Sequence, residues 1–134
     1  PKPLLDWGGK PLLQHQIDEL SGAGCDPLVV VLGNHAPTVR AAITCDAPCR
    51  IVVNAAYRNG RASSLRAGAA GLPDERDAVV VTSVDGPCSA DTAQRLITAW
   101  REQPGSRDIV VGLPVATALE LMATVEIAND PWRR

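Results

Sequence analysis

A short β-branched run that ends on a single carboxylate is the feature that most constrains this chain. The run extends from Val79 to Val84, and Asp85, Gly86 and Pro87 follow it directly. It is too short for a helix and too uniformly apolar for a half-exposed strand, so it predicts a buried parallel strand. Because ligands of open parallel sheets collect beyond the carboxyl ends of the strands, we expect Asp85 to lie at a binding edge.

Two roles for Asp85 fit this position. A lone carboxylate can hold Mg²⁺, a hard cation that takes few protein oxygens and completes its shell with water and phosphate. The same carboxylate can instead open a turn or cap the helix that follows. The residues alone favour neither role over the other.

Composition limits the class of protein. The chain has 134 residues, 46% of them hydrophobic, which is enough for one domain with a core. Thirteen basic and 15 acidic residues give a net charge of −2, which argues against a polyanion-binding surface and a nucleic-acid partner but not against one phosphate pocket. No apolar run reaches the length of a membrane span and no signal peptide is seen, so we expect a cytoplasmic protein without a membrane partner.

The cysteine pattern favours reduced thiols. None of the four cysteines forms a Cys-x-x-Cys pair or has a histidine at zinc-like spacing. A core of this size needs no disulfides, which agrees with a reducing compartment. Cys45 and Cys49 could approach each other, but Pro48 lies between them.

Apolar strand-like runs alternate with helical stripes along the chain. Helices are predicted from Pro11 to about Gly22, over 37–43, after a cap at Ser63 or Ser64, and after a cap at Ser89. Strands are predicted over 28–32, 50–54, the run before Asp85, and 108–111, followed by a helical turn over 118–122 and a strand over 124–127. This order predicts an α/β fold with a mostly parallel sheet and helices on both faces.

Five short motifs occur together in a fixed order. They are Pro1-Lys2-x-Leu4-Leu5, Gly9-Lys10-Pro11-Leu12-Leu13, Asn54 with Gly60, Ser63-Ser64-Leu65-Arg66-Ala67-Gly68, and Asp85-x-Pro87. Over roughly residues 1–112 the chain resembles the molybdenum cofactor nucleotidyltransferase family, with its MobA-like NTP transferase domain, and is closest in appearance to the cytidylyltransferases. Each motif alone is a weak signal, and their order makes the resemblance specific.

The resemblance implies a Rossmann-like three-layer nucleotidyltransferase fold and a Mg²⁺-dependent reaction. The phosphate of molybdopterin, or of its metal-loaded form, would attack the α-phosphorus of CTP, less favourably GTP, and pyrophosphate would leave. A molybdoenzyme that receives the cofactor is a further expected partner.

The family match also implies roles for individual residues. Lys2 matches the lysine that binds phosphate, and Asp85 matches the metal-binding aspartate, which makes these two the expected catalytic residues. The expected nucleotide-binding residues are Lys2, Gly33, Asn54, Gly60, Ser63 and Ser64. Each of these roles has a structural alternative: Lys2 could be a solvated lysine, Gly33 a turn glycine, and the two serines helix caps. A site role for His35 is a weaker hypothesis, and His15 is expected on a helix surface.

The chain departs from the family pattern at both ends. The family begins with a strand and a glycine-rich loop that cradles the triphosphate, and only Pro1-Lys2 corresponds to it here. We therefore expect residues 1–134 to form a single domain that lacks this strand and loop. The late Gly-His-Pro turn is missing, and Asp130 is a poor match for the second metal-binding aspartate.

Two other functions stay open at this point. The acceptor could be a sugar phosphate or another small phosphorylated molecule. Alternatively, the chain could be a non-catalytic relative that binds the nucleotide or cofactor and delivers it like a chaperone.

Overall fold

The computed structural model describes residues 1–46, 48–75, 78–86, 88–102 and 120–125. Its helices are α1 (Leu12–Gly22), α2 (Ala36–Ala41), α3 (Arg61–Ala70) and α4 (Ala90–Glu102), and its strands are β1 (Leu28–Leu32), β2 (Cys49–Val53), β3 (Ala78–Ser83) and β4 (Glu120–Val125). Single 3₁₀ turns cover Lys2–Leu4 and Tyr57–Asn59. None of the helices in these ranges is long and apolar enough to cross a bilayer.

The four described strands form one sheet in the order β2-β1-β4-β3. β1 pairs with β2 in parallel, from Leu28 opposite Cys49 to Leu32 opposite Val53. β4 runs antiparallel to both β1 and β3, so β1, β2 and β3 share one direction and end at the same edge of the sheet. The mixed sheet confirms the predicted α/β class, and the reversed β4 is a difference in detail.

The segment around β4 departs from the sequence prediction. Residues Glu120 to Met122 were expected in a helical turn and instead pair with strands on both sides, so that prediction is wrong for them. Pairing with two neighbours outweighs the helix propensity of a few Leu, Met and Ala residues. The strand expected over 124–127 is described only for Thr124 and Val125, and the strand expected over 108–111 lies outside the described residues.

Alternate residues of β1 build two separate apolar layers. Leu28, Val30 and Leu32 pack with residues of α1, α2 and α4 on one face of the sheet. Val29 and Val31 face the other way, into a cluster that includes Leu72 and Val81 and takes Leu65 and Ala67 from α3. This period-two division places helices on both faces, as the three-layer prediction requires.

The helix starts were predicted with mixed success. Ser89 caps α4 as expected, because the Thr92 backbone N–H donates to Ser89 Oγ at 3.1 Å. The expected caps at Ser63 and Ser64 are wrong, since α3 begins at Arg61 and Gly60 occupies the N-cap position. Both serines therefore lie inside the first turn of α3.

The expectation of reduced thiols is wrong for one pair. Cys45 and Cys49 form a disulfide, with their Cα atoms 5.1 Å apart. A turn around Pro48 brings them together, in which the Cys49 N–H donates to the Asp46 carbonyl at 2.7 Å. Cys25 and Cys88 are free thiols and are buried. The cysteine pattern therefore no longer supports the inference of a reducing compartment.

Candidate nucleotide site

Residues from three strand ends meet at one edge of the sheet. Gly33 follows β1, Asn54 follows β2, and Asp85 comes two residues after β3. The chain direction of these strands, not their neighbourhood in sequence, brings the three positions to the same edge. β2 and β3 are three strand spacings apart, roughly 14 Å, so the edge is wide enough for a ligand with two chemically different ends.

The two residues expected to be catalytic lie in contact. The Lys2 Nζ atom is 3.2 Å from Asp85 Oδ1, although the residues are far apart in the chain. The Lys2 side chain is 59% exposed and that of Asp85 22% exposed, so the ion pair faces solvent at the edge of the sheet. Lys2 reaches it from a 3₁₀ turn that Leu4 anchors against the main core cluster.

Asp85 lies in a tight turn directly after β3. The Gly86 N–H donates to the Ser83 carbonyl at 3.1 Å, and the Asp85 N–H donates to Ser83 Oγ at 3.2 Å. The turn fixes the backbone and leaves the carboxylate directed at Lys2. Asp85 therefore lies in a turn, and Ser89 and not Asp85 caps α4. The metal-binding role of Asp85 stays a prediction.

Helix α1 supports the segment that follows Asp85. Gln16 is buried and its Oε1 accepts from the Cys88 N–H at 3.3 Å, while Glu19 Oε2 accepts from the Ala90 N–H at 2.7 Å. Burial raises the pKa of the Cys88 thiol, and the nearby Glu19 carboxylate raises it further. Burial also raises the pKa of Cys25 to about 11, with a smaller contribution from Cys88. No local sequence pattern indicates these contacts, since their partners lie more than 70 positions apart.

Asn54 is buried at the end of β2 and binds the start of α3. Its Nδ2 group donates to Ser63 Oγ at 2.9 Å and to Ser64 Oγ at 3.1 Å. Its Oδ1 accepts from the Ala56 N–H at 3.0 Å. Three of the expected nucleotide-binding residues are thus brought together, but they are bonded to one another.

Gly60 joins the 3₁₀ turn to α3 with a backbone that favours glycine. Its φ is 94°, in the left-handed region, and it is the N-cap residue of α3. Its carbonyl accepts from Ser63 Oγ at 2.8 Å. The geometry supplies a backbone reason for a glycine at this position, and the nucleotide contact of Gly60 stays a prediction.

Near the loop after β1 lie two polar side chains, Asn34 and Tyr57, that the sequence analysis did not name. Gly33 is buried, and the exposed Asn34 and His35 follow it, with His35 at a positive φ of 57°. The Tyr57 hydroxyl lies 3.4 Å from Asn34 Oδ1, and the Arg58 guanidinium lies 5.8 Å from the centre of the Tyr57 ring. Asn34 comes two residues after β1 and Tyr57 four residues after β2, and this closeness to two adjacent strand ends is the signal that could have identified them.

The other histidine lies in a different environment. The His15 ring, on α1, is 6.1 Å from the Trp7 ring. This agrees with the expectation that His15 belongs to a helix surface.

The chemistry of the donor set fits Mg²⁺ held jointly with a substrate. Within the described ranges no group of three or more His, Cys, Asp or Glu side chains is arranged to hold a metal. Asp85 supplies one carboxylate at the edge. Mg²⁺ in nucleotide enzymes commonly binds one or two carboxylates and takes its remaining ligands from phosphates and water. Asp130, the late candidate ligand, lies outside the described residues.

The fold and the edge are those of a nucleotidyltransferase-type domain. The family model of the MobA-like NTP transferase domain matches residues 1–120, and the chain belongs to this family.

Three relatives show the range of proteins that share this sequence pattern. Nicotine blue oxidoreductase of Paenarthrobacter nicotinovorans is 35% identical over 102 residues, which is 75% of this chain and 49% of that protein. The bifunctional enzyme IspD/IspF of Erythrobacter litoralis is 46% identical over 41 residues, or 31% of this chain and 11% of the relative. A probable mannose-1-phosphate guanylyltransferase of Arabidopsis thaliana is 46% identical over 39 residues, which is 29% of this chain and 12% of that protein.

The chain spans about half or less of the length of these relatives, and their names differ in activity. No solved structure matches the chain. The comparisons thus establish the family and leave the substrate to be identified.

Proposed function

We propose that this protein is a Mg²⁺-dependent nucleotidyltransferase that joins CTP, or less favourably GTP, to the phosphate of molybdopterin or the molybdenum cofactor. Pyrophosphate is the second product. The observation that carries the proposal is the contact between Lys2 and Asp85 at the carboxyl edge of the sheet. A cation and a carboxylate at one point of that edge are suited to a triphosphate and its metal.

The reaction assigns a task to each residue. An oxygen of the acceptor phosphate attacks the α-phosphorus of the nucleotide, and the bond from that phosphorus to the pyrophosphate oxygen breaks. Negative charge builds on the departing pyrophosphate, and the Lys2 ammonium stabilises it. Asp85 holds the metal, which when bound supplies a second positive charge for the phosphates. The protein therefore acts mainly by placing charge and orienting the reactants.

The other end of the nucleotide would lie toward β2. Gly33 and the segment from Asn54 through Gly60 to Ser63 and Ser64 are proposed to lie against the base and ribose. The roughly 14 Å between β2 and β3 suits this division, with the base near one strand end and the phosphates near the other. The preference for CTP rests on the sequence around Ser63 and Ser64, and a molybdoenzyme that receives the product is proposed as a partner.

The test is turnover by an Asp85→Asn variant. We expect Asp85→Asn to lower the rate of pyrophosphate release from CTP with molybdopterin and Mg²⁺ by about 100-fold or more, since it removes the charge that holds the metal. Asp91→Asn is a matched control, because Asp91 is 72% exposed on α4 and pairs with Arg95. Wild-type turnover in Asp85→Asn would refute the proposed role.

A sugar-phosphate acceptor is the second candidate. The similarity to a probable mannose-1-phosphate guanylyltransferase favours it, although that similarity covers 29% of this chain. The same assay with mannose 1-phosphate and GTP distinguishes the two acceptors, because only the correct one should release pyrophosphate at a rate that depends on Asp85.

A different class of function is favoured by the similarity to nicotine blue oxidoreductase, which covers 75% of this chain. That match is to a protein named as an oxidoreductase, so the family fold also occurs under a non-transferase name. A non-catalytic, chaperone-like protein that binds the nucleotide or the cofactor is a separate candidate. Binding of nucleotide or molybdopterin with no pyrophosphate release in wild-type protein, and an unchanged result in Asp85→Ala, would favour it over the transferase.

A further inference from the structure

Asn54 uses its whole side-chain amide inside the protein. It is 6% exposed. An amide nitrogen carries two hydrogens, and here they go to Ser63 Oγ at 2.9 Å and Ser64 Oγ at 3.1 Å. The amide oxygen accepts from the Ala56 N–H at 3.0 Å. No donor hydrogen of this side chain is left for a nucleotide.

The same residue also ties two strands and a turn together. The Asn54 backbone N–H donates to the Leu32 carbonyl at 2.8 Å, which links the ends of β1 and β2. Ser63 Oγ lies 3.0 Å from the Ala56 carbonyl and 2.8 Å from the Gly60 carbonyl, and its one hydrogen can go to either. The side chains of Asn54, Ser63 and Ser64 thus close a ring of hydrogen bonds around the turn at residues 55–60, which we call the Asn54 bracket.

We propose that Asn54 is a positioning residue for the nucleotide and not a direct ligand. It fixes the turn at 55–60 against the first turn of α3, and so sets the position of Tyr57, Arg58 and the start of the helix at the binding edge. The inference rests on the proposed nucleotide site. It changes the role expected for Asn54, because a hydrogen bond already made inside the bracket would have to break before the Asn54 amide could donate to a base.

A double-mutant cycle on nucleotide affinity separates positioning from contact. Asn54→Ala and the pair Ser63→Ala with Ser64→Ala each destroy the bracket, so we expect each to weaken Mg²⁺-CTP binding by about ten-fold in calorimetry. The combined variant should be no weaker than either alone, since residues that act as one unit are not additive. Losses that multiply to about 100-fold would mean that the three side chains bind CTP independently, and would overturn the positioning role.

A conservative variant tests whether keeping the Ser63 hydroxyl preserves the affinity for CTP. Ser63→Thr keeps the hydroxyl that accepts from Asn54, so its affinity for Mg²⁺-CTP should stay within about two-fold of wild type. Ser63→Ala lacks that hydroxyl and should lose affinity. Equal losses in both variants would show that the bracket hydrogen bond is not what matters.

Amide exchange tests the bracket without any nucleotide. Loss of the Asn54 acceptor in Asn54→Ala should speed exchange of the Ala56 amide by ten-fold or more, while the amides of Leu28–Leu32 stay protected. If Asn54→Ala fails to keep β1 protected, Asn54→Ser replaces it, since that side chain is too short to reach both serines. Unchanged Ala56 exchange in a folded variant refutes the bracket. Rapid Ala56 exchange in the variants, with no CTP or GTP binding by wild type, would instead refute the proposed function and leave Asn54 a purely structural residue.

Discussion

The Lys2 ammonium lies beside the Asp85 carboxylate, where a metal ion held by Asp85 would also lie. The Lys2→Met variant tests whether the two cations compete for this carboxylate. The Lys2 ammonium lies 3.2 Å from the Asp85 carboxylate, so a cation that binds Asp85 must displace it. Lys2→Met removes this competitor and keeps the length of an apolar stem. The variant should therefore bind a divalent metal more tightly than wild type when nucleotide is absent.

The size of the effect follows from the exposure of the pair. Lys2 is 59% exposed and Asp85 is 22% exposed, so water screens the interaction. Exposed ion pairs contribute about 0.2 to 1 kcal/mol, which corresponds to a change in metal dissociation constant of about 1.4- to 5-fold. Nucleotide binding should change in the opposite direction. Loss of a charged contact to phosphate costs about 1.5 to 3 kcal/mol, so Lys2→Met should weaken CTP binding by about ten-fold or more.

The assay is a Mn²⁺ titration followed by electron paramagnetic resonance, without and with a non-hydrolysable CTP analogue. Lys10→Met is the matched control, since Lys10 carries the same charge in the same segment but pairs with Asp18 at 2.6 Å. It should leave both affinities within about 1.5-fold of wild type. If Lys2→Met fails to tighten Mn²⁺ binding, or Lys10→Met tightens it equally, the ion pair does not compete with the metal.

Two further predictions concern the scaffold. Gly71→Ala should destabilise the protein by about 1 to 3 kcal/mol in urea unfolding, because a Cβ there would lie 3.0 Å from Val52 Cγ2, whereas Gly22→Ala, at the end of α1 with nothing within 4 Å, should be neutral or stabilising. Equal effects would refute the packing argument. Burial raises the pKa of Cys25 to about 11, against 9.0 for a free thiol. The contribution of this thiol to the free energy of unfolding is therefore complete below about pH 9 and is lost as pH rises toward 11, at up to about 1.4 kcal/mol per pH unit. A Cys25→Ala variant should lack this part of the pH dependence, and an unchanged slope would contradict it.

The sequence was sufficient to predict the elements whose residues determine them locally. The apolar runs at Leu28–Leu32 and Ala78–Ser83 are strands, and the stripe through Ala93 and Ile97 is the buried face of α4. Periodicity reports burial on one face, which is a local property of each segment. It also located the ends of β1, β2 and β3, which meet at one edge of the sheet.

Contacts between distant segments could not be read in this way. The pairing of β4 with β1 and β3 depends on which strand edges remain open for hydrogen bonding, and the local pattern of residues 120–125 does not specify that choice. The disulfide between Cys45 and Cys49 depends on a turn whose shape the spacing alone does not set. The caps expected at Ser63 and Ser64 are wrong because α3 already begins at Arg61. Both hydroxyls instead accept from the Asn54 amide, a contact that no local sequence pattern predicts.

The two ends of the proposed site differ in how much they must change when a nucleotide binds. At the β2 end, the Asn54 side chain is buried and all its hydrogen-bonding groups are in use, so this end is already in one arrangement. At the β3 end, Lys2 and Asp85 form a direct ion pair that faces solvent, and in the proposed reaction this contact is exchanged for contacts to a phosphate and a metal. Rigidity at one end lowers the entropy cost of binding, and an exchangeable ion pair at the other links metal binding to phosphate binding. The variants of Asn54 should therefore act mainly on nucleotide affinity at any metal concentration, and those of Lys2 on how that affinity depends on the metal.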